Sequence, residues 1–136
     1  TPQYVGTFRG SPRMITLDDV REIATSLPGI EEGTSYGTPA FRARQKFLAR
    51  VSDDGAALVL KVGEIEQRYL IEAEPETYYI TPHYAGTSLV LVRLAQIDRA
   101  AFDDLFVRSW RLIASKRDLA TYTQHLKGST DDHPSS

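Results

Sequence analysis

The chain contains no cysteine, a single methionine, a single tryptophan and no apolar run longer than a strand. Without thiols it forms no disulfide, holds no zinc through thiolates and has no cysteine nucleophile, which fits a reducing compartment. Its longest apolar stretches, residues 56–60 and 89–92, fall far short of the ~20 residues that cross a bilayer. No basic segment followed by an apolar h-region opens the chain, so the expectation is a cytoplasmic protein with no membrane partner. Net charge is scarce too. Sixteen Lys and Arg against eighteen Asp and Glu leave −2, so nucleic acid or an acidic membrane would have to be met by a local patch rather than by the whole molecule.

What is present is ordinary globular material: 136 residues, 41% hydrophobic and 25% charged, enough for one domain with its own core. Residues 1–13, ahead of Met14, read as a peripheral extension, residues 14–127 as the domain, and the small, polar, proline-containing stretch 128–136 as a flexible tail. The first helix starts at Thr16, with Asp19 completing a capping box. Leu17, Val20, Ile23, Ala24 and Leu27 form its apolar stripe, and Pro28-Gly29 stops it.

Three strands are expected next. Phe41, Ala43, Phe47, Ala49 and Val51 share one face only if Arg44-Gln45-Lys46 form a three-residue hairpin loop, with Arg42, Leu48 and Arg50 on the other face. Asp53-Asp54-Gly55 marks a turn, and residues 57–62 form the third strand with Leu58, Leu60 and Val62 inward. A helix is predicted over 64–73, with Ile65, Tyr69 and Leu70 or Ile71 making its contacts, then strands over 77–81 and 88–94. Asp98 caps the last main helix, whose buried stripe is Phe102, Leu105, Phe106, Ser109, Trp110 and Ile113. Leu119, Tyr122 and Leu126 predict further helical turns. The fold class is therefore α+β: a two-layer sandwich with a mainly antiparallel sheet, in the order α-β(3)-α-β(2)-α.

Several segments of this chain resemble the MmcQ/YjbR family over about residues 15–117. They are Leu27-Pro28-Gly29, Glu31-Glu32, the run 37–42, Lys46-Phe47, the run 79–84, residues 92–94, and Trp110 followed by Lys116-Arg117. The resemblance implies a two-layer fold similar to type III secretion chaperones and related to frataxin-like proteins. It also implies a DNA-binding role through a "double wing", a family label inferred from shape. Gln45 departs from the glycine that relatives often carry in the hairpin.

The residues themselves offer two candidate sites. Arg42, Arg44, Lys46 and Arg50, with Lys61 on the next strand, form a basic hairpin that could set charges on successive phosphates. A solvated sheet face or blunted edge strand is the plainer reading, and the acidic balance and sparse aromatics favour it. His83 and Tyr84, on a loop at a strand end, with Arg93 in the following strand, form a candidate small-ligand or peptide site. Arg93 needs a partner if buried, and Glu31 or Glu32 could supply it. A structural loop clasp is the competing account. Helix N-terminal capping explains Asp18, Asp19 and Glu22 more simply than iron binding by the acidic set that they would form with Glu31 and Glu32. Residues 33–38 read as a loop, since they open no helix and lack a phosphate-binding lysine. No catalytic motif is present and no cofactor or metal is expected. The reading is a non-enzymatic binding module, with DNA, a protein partner or a second copy as its possible partners.

Overall fold

The structure, a computed structural model, describes residues 14–131, with side chains placed through residue 126. Helix α1 (Leu17–Thr25) begins as its sequence dictates. The Thr16 side chain accepts from the Asp19 backbone while Asp19 accepts from Thr16 N–H. Six strands follow in one antiparallel sheet: β1 (Ile30–Ser35), β2 (Thr38–Ala43), β3 (Lys46–Val51), β4 (Ala57–Lys61), β5 (Tyr78–Tyr79) and β6 (Leu89–Arg93). Their order across the sheet is β1-β2-β3-β4-β6-β5. Helix α2 (Glu64–Ala73) lies between β4 and β5, and α3 (Arg99–Ile113) and α4 (Lys116–Asp131) close the chain. No helix among the described residues is long and apolar enough to cross a membrane.

The α+β class and antiparallel sheet are as expected, but the strand count is not. Residues 30–35, part of which read as a loop, are edge strand β1, turned into β2 by Tyr36 and Gly37, both at positive φ. The 77–81 strand shrinks to Tyr78–Tyr79, because Pro82 opens a single 3-10 turn, Pro82–Tyr84. Helix α4 runs through Asp131, into the stretch read as tail. The expected extension 1–13 and the remaining tail residues 132–136 lie outside the described residues.

The largest correction concerns the β2–β3 hairpin. Ala43 pairs with Lys46, so the loop is two residues, Arg44 and Gln45, both left-handed at φ 51° and 76°. Arg42 pairs with Phe47 but Phe41 pairs with Ala49, which leaves Leu48 as an extra residue, a β-bulge. The bulge changes the parity of β3. Phe41, Leu48, Ala49 and Val51 face the helices, whereas Phe47 joins Arg42 and Arg50 on the opposite side. The expected common face for Phe41 and Phe47 is therefore wrong: strict alternation cannot register an inserted residue.

The main core lies between the sheet and the helices, with Val20, Phe41, Leu58, Leu60, Phe102, Phe106 and Trp110 almost fully buried. Helix α2 contributes Leu70, but Ile65 and Tyr69, expected to pack, are 77% and 65% exposed. Ile71 packs against the core beside Leu70, and the buried Gln67 donates through its amide to the carbonyls of Thr87 and Leu89 and so ties the helix to the loop before β6.

Gln45 carries backbone strain that glycine would not. Gln45→Gly is expected to stabilise the protein by about 0.5–1 kcal/mol in urea unfolding. An unchanged or lower midpoint would show that the Gln45 side chain repays the left-handed turn.

Candidate functional site

The strand pairings place one row of side chains across the whole helix-free face: Gly33, Ala40, Arg50, Val59, Leu91 and Tyr79, one from each strand. This face has its own small apolar cluster of Ala57, Val59 and Leu91, packed by Phe47, Tyr79, Tyr84 and Leu89, with no α-helical residue in it. Strands β4 and β6 are apolar on both faces for this reason: each serves the main core with one set of side chains and this second layer with the other.

A cleft of about 790 Å³ opens here. Phe47, Val59, Leu89 and Leu91 floor it, Tyr36, His83 and Tyr84 rim it, and Arg50 and Asp53 supply its charges. The 3-10 turn after β5 delivers His83 and Tyr84 together, their rings edge to face at 4.8 Å between centroids. The β1–β2 turn delivers Tyr36, which is 88% exposed and lies 5.3 Å from the Arg50 guanidinium. Its positive φ comes with the two-residue turn, Tyr36 and Gly37, that joins β1 to β2.

Arg50 is the centre of the site. Its side chain is only 13% exposed. Nη1 donates to Thr38 Oγ1 and the Val51 carbonyl, each at 3.2 Å, and Nη2 donates to the Tyr84 hydroxyl at 3.2 Å. Its carboxylate contact is Asp53 Oδ1 at 3.4 Å, with the Asp53 side chain 84% exposed. Burial works against the charge, but the hydrogen bond to Tyr84 and the contact with Asp53 outweigh it, so the pKa is raised and the cation persists at every working pH.

The expected sites are rearranged. Arg50 leaves the basic hairpin and joins Tyr84 and His83. Arg44 turns to the other side, where Nε and Nη2 grip both oxygens of Asp118 on α4 at 2.9 Å. Lys61 donates to Ser88 Oγ at 2.7 Å. Arg42 stands on the helix-free face opposite Glu31, and Lys46 is exposed beside the turn. Arg93 does not meet Glu31 or Glu32: it donates to the carbonyls of Pro75 and Glu76 and covers the Tyr79 ring at 4.1 Å, while Glu32 is taken by Arg21. Tyr36, Phe47 and Asp53 line the cleft without having been singled out in the sequence, where the apolarity of β4 and β6 on both faces was the signal that a second buried layer exists.

The Arg44–Asp118 pair has a pH consequence. The bond from Arg44 holds the Asp118 carboxyl below its ordinary 3.8, so the unfolded chain takes up the proton more readily. The clasp's stabilisation is therefore present above pH 3.8 and is lost as pH falls through the lower folded value. The stability gap between wild type and Asp118→Asn is expected to narrow below pH 3.8 in acid-series urea melts. A gap that holds constant down to about pH 2 would refute the linkage.

Comparison with known proteins gives concordant results. The YjbR family model matches residues 25–112. Uncharacterised proteins of Mycobacterium bovis and Mycobacterium tuberculosis are 29% identical over 119 residues, covering 76% of this chain and 92% of each relative. The crystal structure of a Deinococcus radiodurans protein with a DUF419 domain superposes with a TM-score of 0.66 at 22% identity, covering 80% of this chain and 88% of that one. That likeness shows a shared fold.

Proposed function

We propose that this chain, which belongs to the YjbR family, is a non-catalytic binding module whose ligand is a compact organic molecule seated in the cleft on the helix-free face of its sheet. The observation that carries this reading is an apolar floor, left uncovered by helices, on which a few polar groups converge. Its volume falls within the range of small-molecule sites, roughly 300–1,000 Å³. The floor sits on paired strands and the rim on two short turns, so the site is largely pre-formed. Binding is favoured over catalysis because a serine hydroxyl lining the cleft is committed to local structure. Ser52 Oγ donates to Asp54 and accepts from Ala57 N–H, holding the β3–β4 turn.

A duplex-DNA role through the β2–β3 hairpin is the alternative that the family label suggests. It has less support, because Arg44 is held by Asp118, Arg50 is sunk in the cleft and Lys61 is bonded to Ser88, leaving Arg42 and Lys46. A partner protein or second copy on the same open face is the remaining alternative.

Amide chemical-shift mapping with a fragment panel of neutral and charged ring compounds separates these readings. Shifts confined to β3, β4, β6 and the 82–84 turn are expected, and Val59→Phe, which fills the floor without entering the main core, is expected to remove them. No cleft-localised shift from any fragment would end the small-molecule reading. Salt-dependent anisotropy with a labelled duplex, lost on joint Arg42→Ala and Lys46→Ala substitution, would replace it with the hairpin mechanism.

A further inference from the structure

Among the described residues five arginines make ion pairs, and they are not equivalent. Arg21, Arg44, Arg99 and Arg108 each reach a carboxylate at 2.7–2.9 Å, although their side chains are 31–60% exposed. Arg50 is the least exposed at 13%, yet it comes no closer to a carboxylate than 3.4 Å, where each of the other four has one within 2.9 Å, and its partner is a side chain 84% in solvent. Electrostatics alone would order these the other way. The charge furthest from water needs its counter-ion most, and an exposed aspartate at that distance contributes little.

The donors of Arg50 show the same shortfall. A guanidinium has five N–H groups. Nη1 is used by Thr38, Val51 and Asp53 and Nη2 by Tyr84, whereas no partner for Nε is found among the described residues. In two of the other four arginines the Nε/Nη2 edge is what holds a carboxylate. Arg44 takes Asp118 that way, and Arg21 takes Glu32.

We propose that the cleft takes an organic carboxylate with an apolar ring body, its carboxylate received by Arg50, and that Asp53 is a built-in counter-ion which the incoming group displaces. This deepens the cleft reading and rests on it. The ring lies on Phe47 and Leu91 beneath Tyr36, and the Tyr84 hydroxyl, already accepting from Arg50, is placed to donate its proton to the ligand's second oxygen. Asp53 tunes affinity: it keeps the empty site from attracting arbitrary small anions and is released to solvent when a ligand with enough apolar surface pays for the exchange.

The test compares matched pairs, cinnamate with cinnamamide and indole-3-acetate with indole-3-acetamide, by titration calorimetry on the full chain. Each carboxylate is expected to bind at least about tenfold tighter than its amide, the scale of a charge-assisted bidentate bond. Arg50→Gln is expected to erase that preference. Asp53→Asn, on an exposed turn, is expected to raise carboxylate affinity about two- to fivefold, more than it changes the affinity of the amides. Equal binding of acid and amide, mapped to the cleft, would overturn the carboxylate assignment and leave the cleft reading standing. Binding of neither would overturn both. Phenyl phosphate binding tighter than either carboxylate would replace the ligand class, and an Asp53→Asn variant with wild-type affinities would overturn the displacement.

Discussion

Gly29→Ala is expected to destabilise the protein by roughly 2–4 kcal/mol, far more than alanine at other left-handed glycines. Gly29 ends the turn after α1 at φ 82°, a conformation that costs alanine about 1–2 kcal/mol wherever it occurs. Here the cost is compounded, because an added Cβ would overlap the Asp118 carboxylate and crowd Arg44 Nε. Moving either neighbour aside would loosen the Arg44–Asp118 pair. Asp118 is buried, gripped by both arms of Arg44 and hydrogen-bonded to Ser115 through its own backbone, while Arg44 donates its backbone N–H to the Gly29 carbonyl. Gly37 and Gly55 supply the controls, with φ of 81° and 76° and nothing within 4 Å of an added Cβ. Alanine there pays only the backbone term. Urea midpoints for the three variants measure the difference directly, and Gly29→Ala matching Gly55→Ala would show that Asp118 moves aside freely.

That turn also marks how far the sequence could be read. Leu27-Pro28-Gly29 was legible as a helix stop and as part of a family resemblance, but the reason for it lies 89 residues away at Asp118, beyond any local pattern. Elements with a strong period or a cap were legible to within a residue or two: α1 from its capping box, α3 from Asp98 and its stripe, α2 from its bounds. Strand β1 was not, because an edge strand with four exposed residues in six has no apolar alternation to show. The β3 register was not, because Leu48 is an insertion whose only signature is geometric.

The site failed to appear for a related reason. Phe47, Val59 and Leu91 are apolar strand residues, and composition cannot say which of a sheet's two faces they cover or whether a helix lies over them. Arg50 was visible as a cation and was assigned to solvent with its neighbours. The bulge beside it, rather than its own chemistry, is what places it with Tyr84. His83 and Tyr84 were singled out because a strand end followed by Pro82 is a local signal, and local signals survive errors in register.

Trp110→Ala is expected to have the largest effect of any single substitution, about 3–5 kcal/mol, with Trp110→Phe costing clearly less. The side chain is fully buried, its ring meets Tyr122 edge-on at 5.2 Å, and Nε1–H donates to the Pro28 carbonyl at 3.0 Å. It therefore joins α3 to the turn that Gly29 closes and to the helix that carries Asp118. Phenylalanine keeps most of the apolar contact but leaves the Pro28 carbonyl without that donor, a loss of about 1–2 kcal/mol. Alanine opens a cavity between three elements and removes the surface on which Tyr122 rests. Far-UV dichroism in urea ranks the variants without needing tryptophan emission, and limited trypsin cleavage at Lys116 and Arg117 reports on α4. Faster cleavage in Trp110→Ala, at urea concentrations where the rest of the chain is still folded, is the expected sign that α4 is held through this ring. If alanine and phenylalanine cost the same, the hydrogen bond to Pro28 would carry the whole contribution and the packing of Tyr122 against Trp110 none of it.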